Sequence, residues 1–287
     1  MLKEKYENVY KNKNRFSFGK NWILFLNILN KNRINQAKRS LNEFLGGAKY
    51  IKGKRFIDIG CGSGLFSLAA YLLGAKEVTS VDVDQYSIDC VKYLRGNNCD
   101  KNTVWKIFTG SALDNSFIDS LNKFDIVYSW GVLHHTGDMY SAIGNVTGLV
   151  NKNGLLYIAI YNNNEKMFPE GSSKFWWEVK SIYNRSGSII KKIIEIIYIC
   201  IMLFGLLING INPIKYIKNY STLRGMNFYT DIKDWLGGFP YEYASIKEIK
   251  SIVEKHGFKL IKTKSARSIG CNEFLFRKIS ITSKKHS

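Results

Sequence analysis

Three glycines at alternate positions, Gly60, Gly62 and Gly64, stand directly behind the apolar run RFIDI at residues 55–59. An apolar strand that enters such a turn and leaves it as a helix, here GLFSLAAYLLGA, has few ways to fold. Bare backbone lets a ligand approach the turn and sit beside the N-terminus of the helix. The same rhythm continues downstream. EVTSVDVD reads as a strand, DQYSIDCVKYLRGN as a helix, NTVWKIFTGSAL and FDIVYSW as strands, MYSAIGNVTGLV as a helix and GLLYIAIYN as a strand. Strands separated by helices of this length require right-handed crossovers, hence a parallel sheet covered on both faces.

Around this core the chain divides into four segments. Residues 1–47 form an N-terminal helical cap, with helices over NWILFLNIL and INQAKRSLNEFLGG; the second places Ile34, Ala37, Leu41, Phe44 and Leu45 on one face and stops at a glycine pair. Residues 48–162 carry the alternating core. Residues 163–243 break the rhythm as a helical insertion, and residues 244–287 complete the core with the helix SIKEIKSIVEKHG and the strands FKLIKTKSA and NEFLFRKIS. Within the insertion, residues 193–211 read IIEIIYICIMLFGLLINGI. The uninterrupted apolar part, 196–208, is shorter than the roughly 20 residues that cross a bilayer. It is expected to be a buried lid helix, with peripheral membrane contact through 193–211 as the alternative, because Lys191, Lys192, Lys215 and Lys218 flank it.

Totals exclude some classes. Five scattered cysteines without a C-x-x-C pair argue for reduced thiols, a cytoplasmic setting and no zinc site; no metal centre is expected. The N-terminus lacks the apolar region of a secretory signal. A net charge of +19 favours anionic partners: nucleic acid, lipid headgroups or phosphorylated small molecules. The excess is lysine rather than arginine, which weighs against nucleic acid, since base and phosphate recognition favours the arginine fork.

Asp58 precedes the glycines and Asp82 closes the second strand, where an acid can take both ribose hydroxyls. Both features fit a nicotinamide enzyme as well as other adenosine binders. The third strand ends in TGSAL and the fourth in YSWGVLHHTGD. With these the chain resembles the class I S-adenosylmethionine-dependent methyltransferases along nearly all its length, through FIDIGCGSG, VDVD, GSAL, FDIVYSWGVLHHTGDMYSAI and NKNGLLYIAIYN. A further likeness, to a bacterial small-molecule branch, rests on FSFGKNWILFL, DWLGGFPYE and GCNEFLF.

The resemblance implies a Rossmann-like, doubly wound, mostly parallel seven-stranded α/β sheet, and S-adenosyl-L-methionine as cofactor with S-adenosyl-L-homocysteine as product. It implies that Asp58 faces the methionine ammonium and that the backbone of Gly60, Cys61, Gly62 and Gly64 lies along the methionine and ribose. It further implies Asp82 on the ribose hydroxyls and Val83 against the adenine. Ser111 stands where many relatives have Asp, with Ala112 and Leu113 beside it, and Ser129 and Trp130 end the fourth strand beneath the sulfonium.

Transfer to a hydroxyl, phenol or ammonium also needs a base, and His134 and His135 follow the fourth strand; His135 is the favoured one. The insertion motif DWLGGFPYEY offers Asp234, Trp235, Tyr241 and Glu242 for the acceptor. Trp22, in a candidate lid, and Asn272 and Glu273, at the start of the last strand, are the other candidate acceptor contacts. Neither an Asn/Asp-Pro-Pro-Tyr motif nor an appended RNA-binding module is present. The reading is therefore a methyltransferase for a small-molecule acceptor, anionic or lipid-linked, methylated at oxygen or nitrogen. The alternatives are an RNA methyltransferase and a non-catalytic, membrane-peripheral cofactor binder.

Overall fold

The computed structural model describes residues 26, 29–100, 103–168, 170–224 and 228–279. Seven strands, β1 (Arg55–Ile59), β2 (Glu77–Asp82), β3 (Trp105–Thr109), β4 (Phe124–Trp130), β5 (Val150–Tyr161), β6 (Phe258–Lys264) and β7 (Cys271–Lys278), form one sheet. Their order is β3-β2-β1-β4-β5-β7-β6. The first five are parallel, and β7 runs antiparallel to both β5 and β6. Strand order reverses between β1 and β4, so the loops at their carboxyl ends diverge and leave the crevice where open α/β sheets place ligands. The seven-stranded, mostly parallel expectation holds.

The helices are α1 (Lys31–Leu45), α2 (Leu65–Leu72), α3 (Gln85–Asn98), α4 (Asn115–Ser120), α5 (Met139–Gly148), α6 (Ser173–Arg185), α7 (Ser188–Ile208), α8 (Pro213–Arg224), α9 (Phe228–Gly237) and α10 (Ile246–Lys255). Two apolar clusters cover the two faces of the sheet. Leu41 and Phe44 of α1, Leu68 of α2 and Val91 of α3 pack with Phe56 and Tyr157 on one face. Ile143 and Val146 of α5 and Ile249 and Val253 of α10 pack with Ile57, Val127 and Ile158 on the other. Local chemistry sets the helix ends. Asn30 accepts from the Arg33 amide at the start of α1, and α1 ends at Gly46 with φ 91°, a left-handed position that favours glycine. Ser245 and Glu248 form a reciprocal capping box on α10. The six-residue α4 was not expected from sequence; it is too short to show a helical period and starts from the Asp114 cap.

Helices α6 to α9 leave the sheet after β5 and gather a third apolar cluster, with Trp176, Tyr183, Tyr220, Phe228, Ile232, Leu236 and Tyr241 buried in it. A bridge between Asn162 and Ala244 brings the two ends of this excursion together. The expectation of a buried lid helix fails at α7: none of its 21 residues is buried. An all-apolar run says that a helix avoids water, but not how many of its sides the protein covers. Here the third cluster covers one side only.

Candidate active site

The turn after β1 explains its glycines. Gly60, Gly62 and Gly64 have φ of 75°, 52° and 80°. A Cβ on Gly60 would lie 2.3 Å from a methyl of Val132, in the loop after β4, and one on Gly64 would lie 2.8 Å from Val91 of α3. Conformation and close approach thus demand glycine together. The turn is pinned to β2: the Gly60 and Cys61 amides both donate to the Val81 carbonyl, at 2.7 and 3.0 Å. The Gly62 amide donates to Asp82 Oδ2 at 2.9 Å, and the Asp84 amide to Asp82 Oδ1 at 2.9 Å. Asp82, expected at the ribose, therefore also holds the glycine turn against β2. Cys61 offers backbone here; burial, with the Asp82 and Asp58 charges, pushes its thiol well above the ordinary range. Gly60→Ala is expected to cost about 2–5 kcal/mol, summing left-handed strain and the clash. Chemical denaturation checks this, and Val132→Ala in the same chain should restore part of the loss.

Asp58 is buried at 2% exposure. Its Oδ2 accepts from the Ser67 hydroxyl at 2.7 Å, that oxygen accepts from Ser80 at 2.7 Å, and Ser80 accepts from the Trp105 indole at 2.8 Å. Burial pushes the Asp58 carboxyl up to about 7 against the opposing Ser67 hydrogen bond, and the Asp82 charge adds to the rise. Ser67, Ser80 and Trp105 were missed by sequence reading. The available signal was a serine in the apolar strand EVTSVD facing a serine in the apolar helix LFSLAAYL.

The third and fourth loops complete the crevice. Ser111 Oγ accepts from the Leu113 amide at 3.1 Å, and the Ala112 carbonyl accepts from Asn145 at 2.8 Å. Val83 is half-buried, Ala112 buried and Leu113 more open. Ser129 is fully buried and donates to the Ile59 carbonyl at 2.9 Å, which ties the end of β4 to the end of β1. Trp130, the next residue, is 44% exposed.

The two histidines occupy one short turn but differ chemically. His134 is fully buried, and its Nδ1 accepts from the Tyr161 amide at 3.3 Å. Burial, reinforced by His135, pushes its imidazole well below the usual value, so it is neutral. His135 donates from Nδ1 to the Pro240 carbonyl at 2.5 Å, which puts the lone pair of its neutral ring on Nε2. Both rings face Tyr161 at the end of β5, with centroid separations of 4.0 and 5.4 Å.

The insertion motif docks on this turn. The Glu242 amide donates to the His134 carbonyl at 2.9 Å, and the Glu242 carboxylate accepts from the Gly137 and Met139 amides at 3.0 and 3.1 Å, capping α5. Tyr241 is buried beneath Tyr161, with centroids 4.9 Å apart, and Trp235 stands edge-on to Tyr161 at 6.1 Å. Asp234 is partly exposed, and its carbonyl accepts from the Gly238 amide at 2.9 Å. Lys180 of α6, absent from the sequence reading, is buried with its ammonium 3.9 Å over the Trp235 ring and hydrogen-bonded to the Trp235 carbonyl. Burial lowers that amine to about 7. Nothing in KSIYNR marks this lysine, because only the folding of α9 over α6 buries it.

Asn272 and Glu273 have partners within the fold. The Asn272 amide donates to Asn162 Oδ1 at 2.9 Å and accepts from the Ala266 amide at 2.8 Å. Glu273 accepts from the Tyr157 hydroxyl and from Lys264, at 2.9 Å, and lines an open groove with Phe44 and Arg39 of α1. Trp22 lies outside the described residues. The structure thus brings Trp235, Tyr241 and Glu242 to the histidine turn, and sets Glu273 on the face that carries α1.

Comparison with known proteins places the chain in a family. The family model for the methyltransferase domain matches residues 29–263. The ribosomal protein L11 methyltransferase of Thermotoga neapolitana is 30% identical over 134 residues, 46% of this chain and 47% of that protein. A ubiquinone biosynthesis O-methyltransferase of Rhodopseudomonas palustris is 30% identical over 118 residues, 41% and 44% of the two chains. The chain spans about half the length of the curated relatives it matches. The magnesium protoporphyrin IX methyltransferase of Synechocystis PCC 6803, solved with bound S-adenosylhomocysteine, superposes with a TM-score of 0.51 over 96% of this chain and 93% of that one. At 15% identity that likeness speaks for the fold. The chain belongs to the methyltransferase-domain family, within the class I S-adenosylmethionine-dependent methyltransferases.

Proposed function

We propose that this protein methylates a small-molecule acceptor at oxygen, with nitrogen as the second choice. The observation that carries the reading is His135, tethered through Nδ1 to Pro240 beside an aromatic wall of Tyr161, Trp235 and Tyr241. The crevice fits the cofactor: all three glycines are left-handed, Gly60 and Gly64 leave no room for a Cβ, and two carboxylates border them at the ends of β1 and β2. When bound, S-adenosylmethionine supplies a methyl group already activated on a sulfonium and departs as S-adenosylhomocysteine. Gly60, Cys61 and Gly62 would hold its methionine and ribose portion, Asp82 its ribose, Val83 and the Ser111–Leu113 turn its adenine. Asp58 would hold its ammonium, and Ser129 and Trp130 would lie below the sulfur.

The remaining work is alignment, exclusion of water and removal of one proton. His135 takes that proton at Nε2 as the acceptor oxygen bonds to the methyl carbon. The neighbouring His134, neutral and buried, holds the loop through Tyr161 and adds no competing positive charge. Trp235 and Tyr161, the latter backed by the buried Tyr241, shield the reacting centre and suit a flat or apolar acceptor. The 30% identity to an O-methyltransferase supports oxygen over nitrogen. Identity of the same degree to a ribosomal protein methyltransferase makes a protein acceptor the competing reading.

The test is release of S-adenosylhomocysteine by the purified full chain against a panel of phenols, hydroxyl compounds and amines, with product masses read in parallel. Turnover of a small hydroxyl acceptor is expected. Release only with ribosomal protein or RNA would replace this reading, and binding of the cofactor without release under any condition would leave a non-catalytic binder.

A further inference from the structure

We infer that α7 and the elbow into α8 form a surface that docks on an anionic lipid bilayer. Ile189, Ile193, Ile197, Ile201, Phe204 and Ile208 recur at spacings of three and four along α7, so they share one face. All are exposed, and Ile189, Ile201, Phe204 and Ile208 are between 65% and 79% exposed. No polar side chain interrupts this face between Ile193 and Ile208 except the Cys200 thiol. The stripe continues past the turn through Ile211 and Ile214, both exposed. A contiguous apolar surface of this extent on a folded protein marks an interaction site.

Charge selects the occupant. Between residues 186 and 223 the chain has four lysines, Lys191, Lys192, Lys215 and Lys218, and one acid, Glu195. Glu195 accepts from the Tyr183 hydroxyl at 2.6 Å, so its charge is engaged within the insertion. Lys191 turns inward over the Tyr183 ring at 5.5 Å, so the exposed cations that border the apolar face are Lys192 at one end and Lys215 and Lys218 at the other, on a protein of net charge +19. An apolar stripe with a basic rim matches acyl chains beneath anionic headgroups. A second copy of this chain would bury the stripe but bring no counter-charge to the lysines.

The helix lies along the membrane and does not cross it. Among the described residues no single helix is long and apolar enough to span; α7 and α8 pass only as a pair bent by 116°. The inner side of α7, with Ile194, Tyr198, Ile199, Met202 and Leu203, packs on the third apolar cluster and is unavailable to lipid. The docked face is joined to the acceptor side by touching rings. Tyr198 meets Trp176 at 5.6 Å, Trp176 meets Trp235 at 5.1 Å, and Trp235 meets Tyr161 at 6.1 Å.

Docking does not depend on the methyl-transfer reading, and its test is read separately. The full chain is sedimented with phosphatidylcholine vesicles and with vesicles containing about 30% phosphatidylglycerol. The bound fraction should be about tenfold greater on the anionic vesicles and should fall as salt is raised. Ile201→Glu with Phe204→Glu, both at exposed positions, should abolish binding to either vesicle. Lys192→Glu with Lys215→Glu, both at exposed positions, should remove only the preference for anionic lipid. Cofactor binding, measured by calorimetry on the same samples, should be unchanged in both variants. Equal sedimentation of the wild type and the Ile201→Glu, Phe204→Glu chain would overturn the proposal. So would failure of the wild type to sediment, with light scattering showing a dimer that this variant dissociates.

Discussion

His135→Asn should lower kcat by about 10²- to 10⁴-fold and leave the affinity for S-adenosylmethionine within about twofold, the loss expected when a positioned base is removed. The choice of asparagine follows from the geometry. His135 donates from Nδ1 to the Pro240 carbonyl, and the asparagine amide nitrogen can reproduce that donor while offering no base. If the imidazole only fastened the turn to the insertion, asparagine would restore it. The two roles therefore separate on one substitution, read as kcat with a responsive acceptor and as cofactor binding by calorimetry. Activity within fivefold of wild type would remove His135 from the chemistry. His134→Asn should behave differently. That ring is buried against Tyr161 and accepts the Tyr161 amide, so the variant should lose thermal stability before it loses rate per folded molecule.

The contrast between the histidines shows where sequence reading runs out. LHH placed both on the loop after β4, and the alternation of apolar runs placed that loop at the mouth of the sheet. Which imidazole is buried and which is tethered to the insertion depends on partners such as Pro240, 105 residues away. The same holds across the site. Local rules found the glycine turn, Asp58, Asp82 and the ends of β3 and β4, because turn conformation and strand period are written in neighbouring residues. Long-range partners were not legible. Lys180 reads as a surface lysine until α9 covers it, and Glu242 reads as an acceptor ligand until it meets the free amides at the start of α5. Asn272 and Glu273 are adjacent on β7, and the pleat sends them to opposite faces, one to Asn162 and the other to Tyr157. The fate of α7 was illegible for another reason. Its composition is apolar nearly all round, and periodicity cannot report that the fold covers one side alone.

Asp58→Asn should raise the dissociation constant for S-adenosylmethionine on the order of 30- to 150-fold, about 2–3 kcal/mol, the loss that follows when one charge of a buried hydrogen-bonded pair is removed. The same substitution should stabilise the protein without cofactor at pH 8 relative to wild type. Both effects have one cause. Burial pushes the Asp58 carboxyl up from 3.8 to about 7, so the folded protein holds a proton there that the unfolded chain has already released. Between these values the folded state binds more protons than the unfolded one, and stability falls as pH rises through the window and levels off above about 7. Asparagine keeps an acceptor for the Ser67 hydroxyl and carries no charge, so the fall disappears. Glu77 and Asp125, whose carboxyls are held low by Arg55 and other partners despite partial burial, oppose this trend at acid pH. The readout is therefore the difference between wild type and variant in denaturation midpoints across pH 5 to 8. On the proposed assignment, Asp58 would meet the cofactor ammonium as its counter-charge and would be drawn into its ionised form on binding. Below pH 7, binding should consequently release close to one proton, seen by calorimetry in buffers of different ionisation enthalpy, and affinity should weaken as pH falls. Proton release and its pH dependence should both vanish in Asp58→Asn. Unchanged affinity and unchanged proton release in that variant would mean that the ammonium sits elsewhere and that the buried carboxyl serves only the Ser67–Ser80–Trp105 chain.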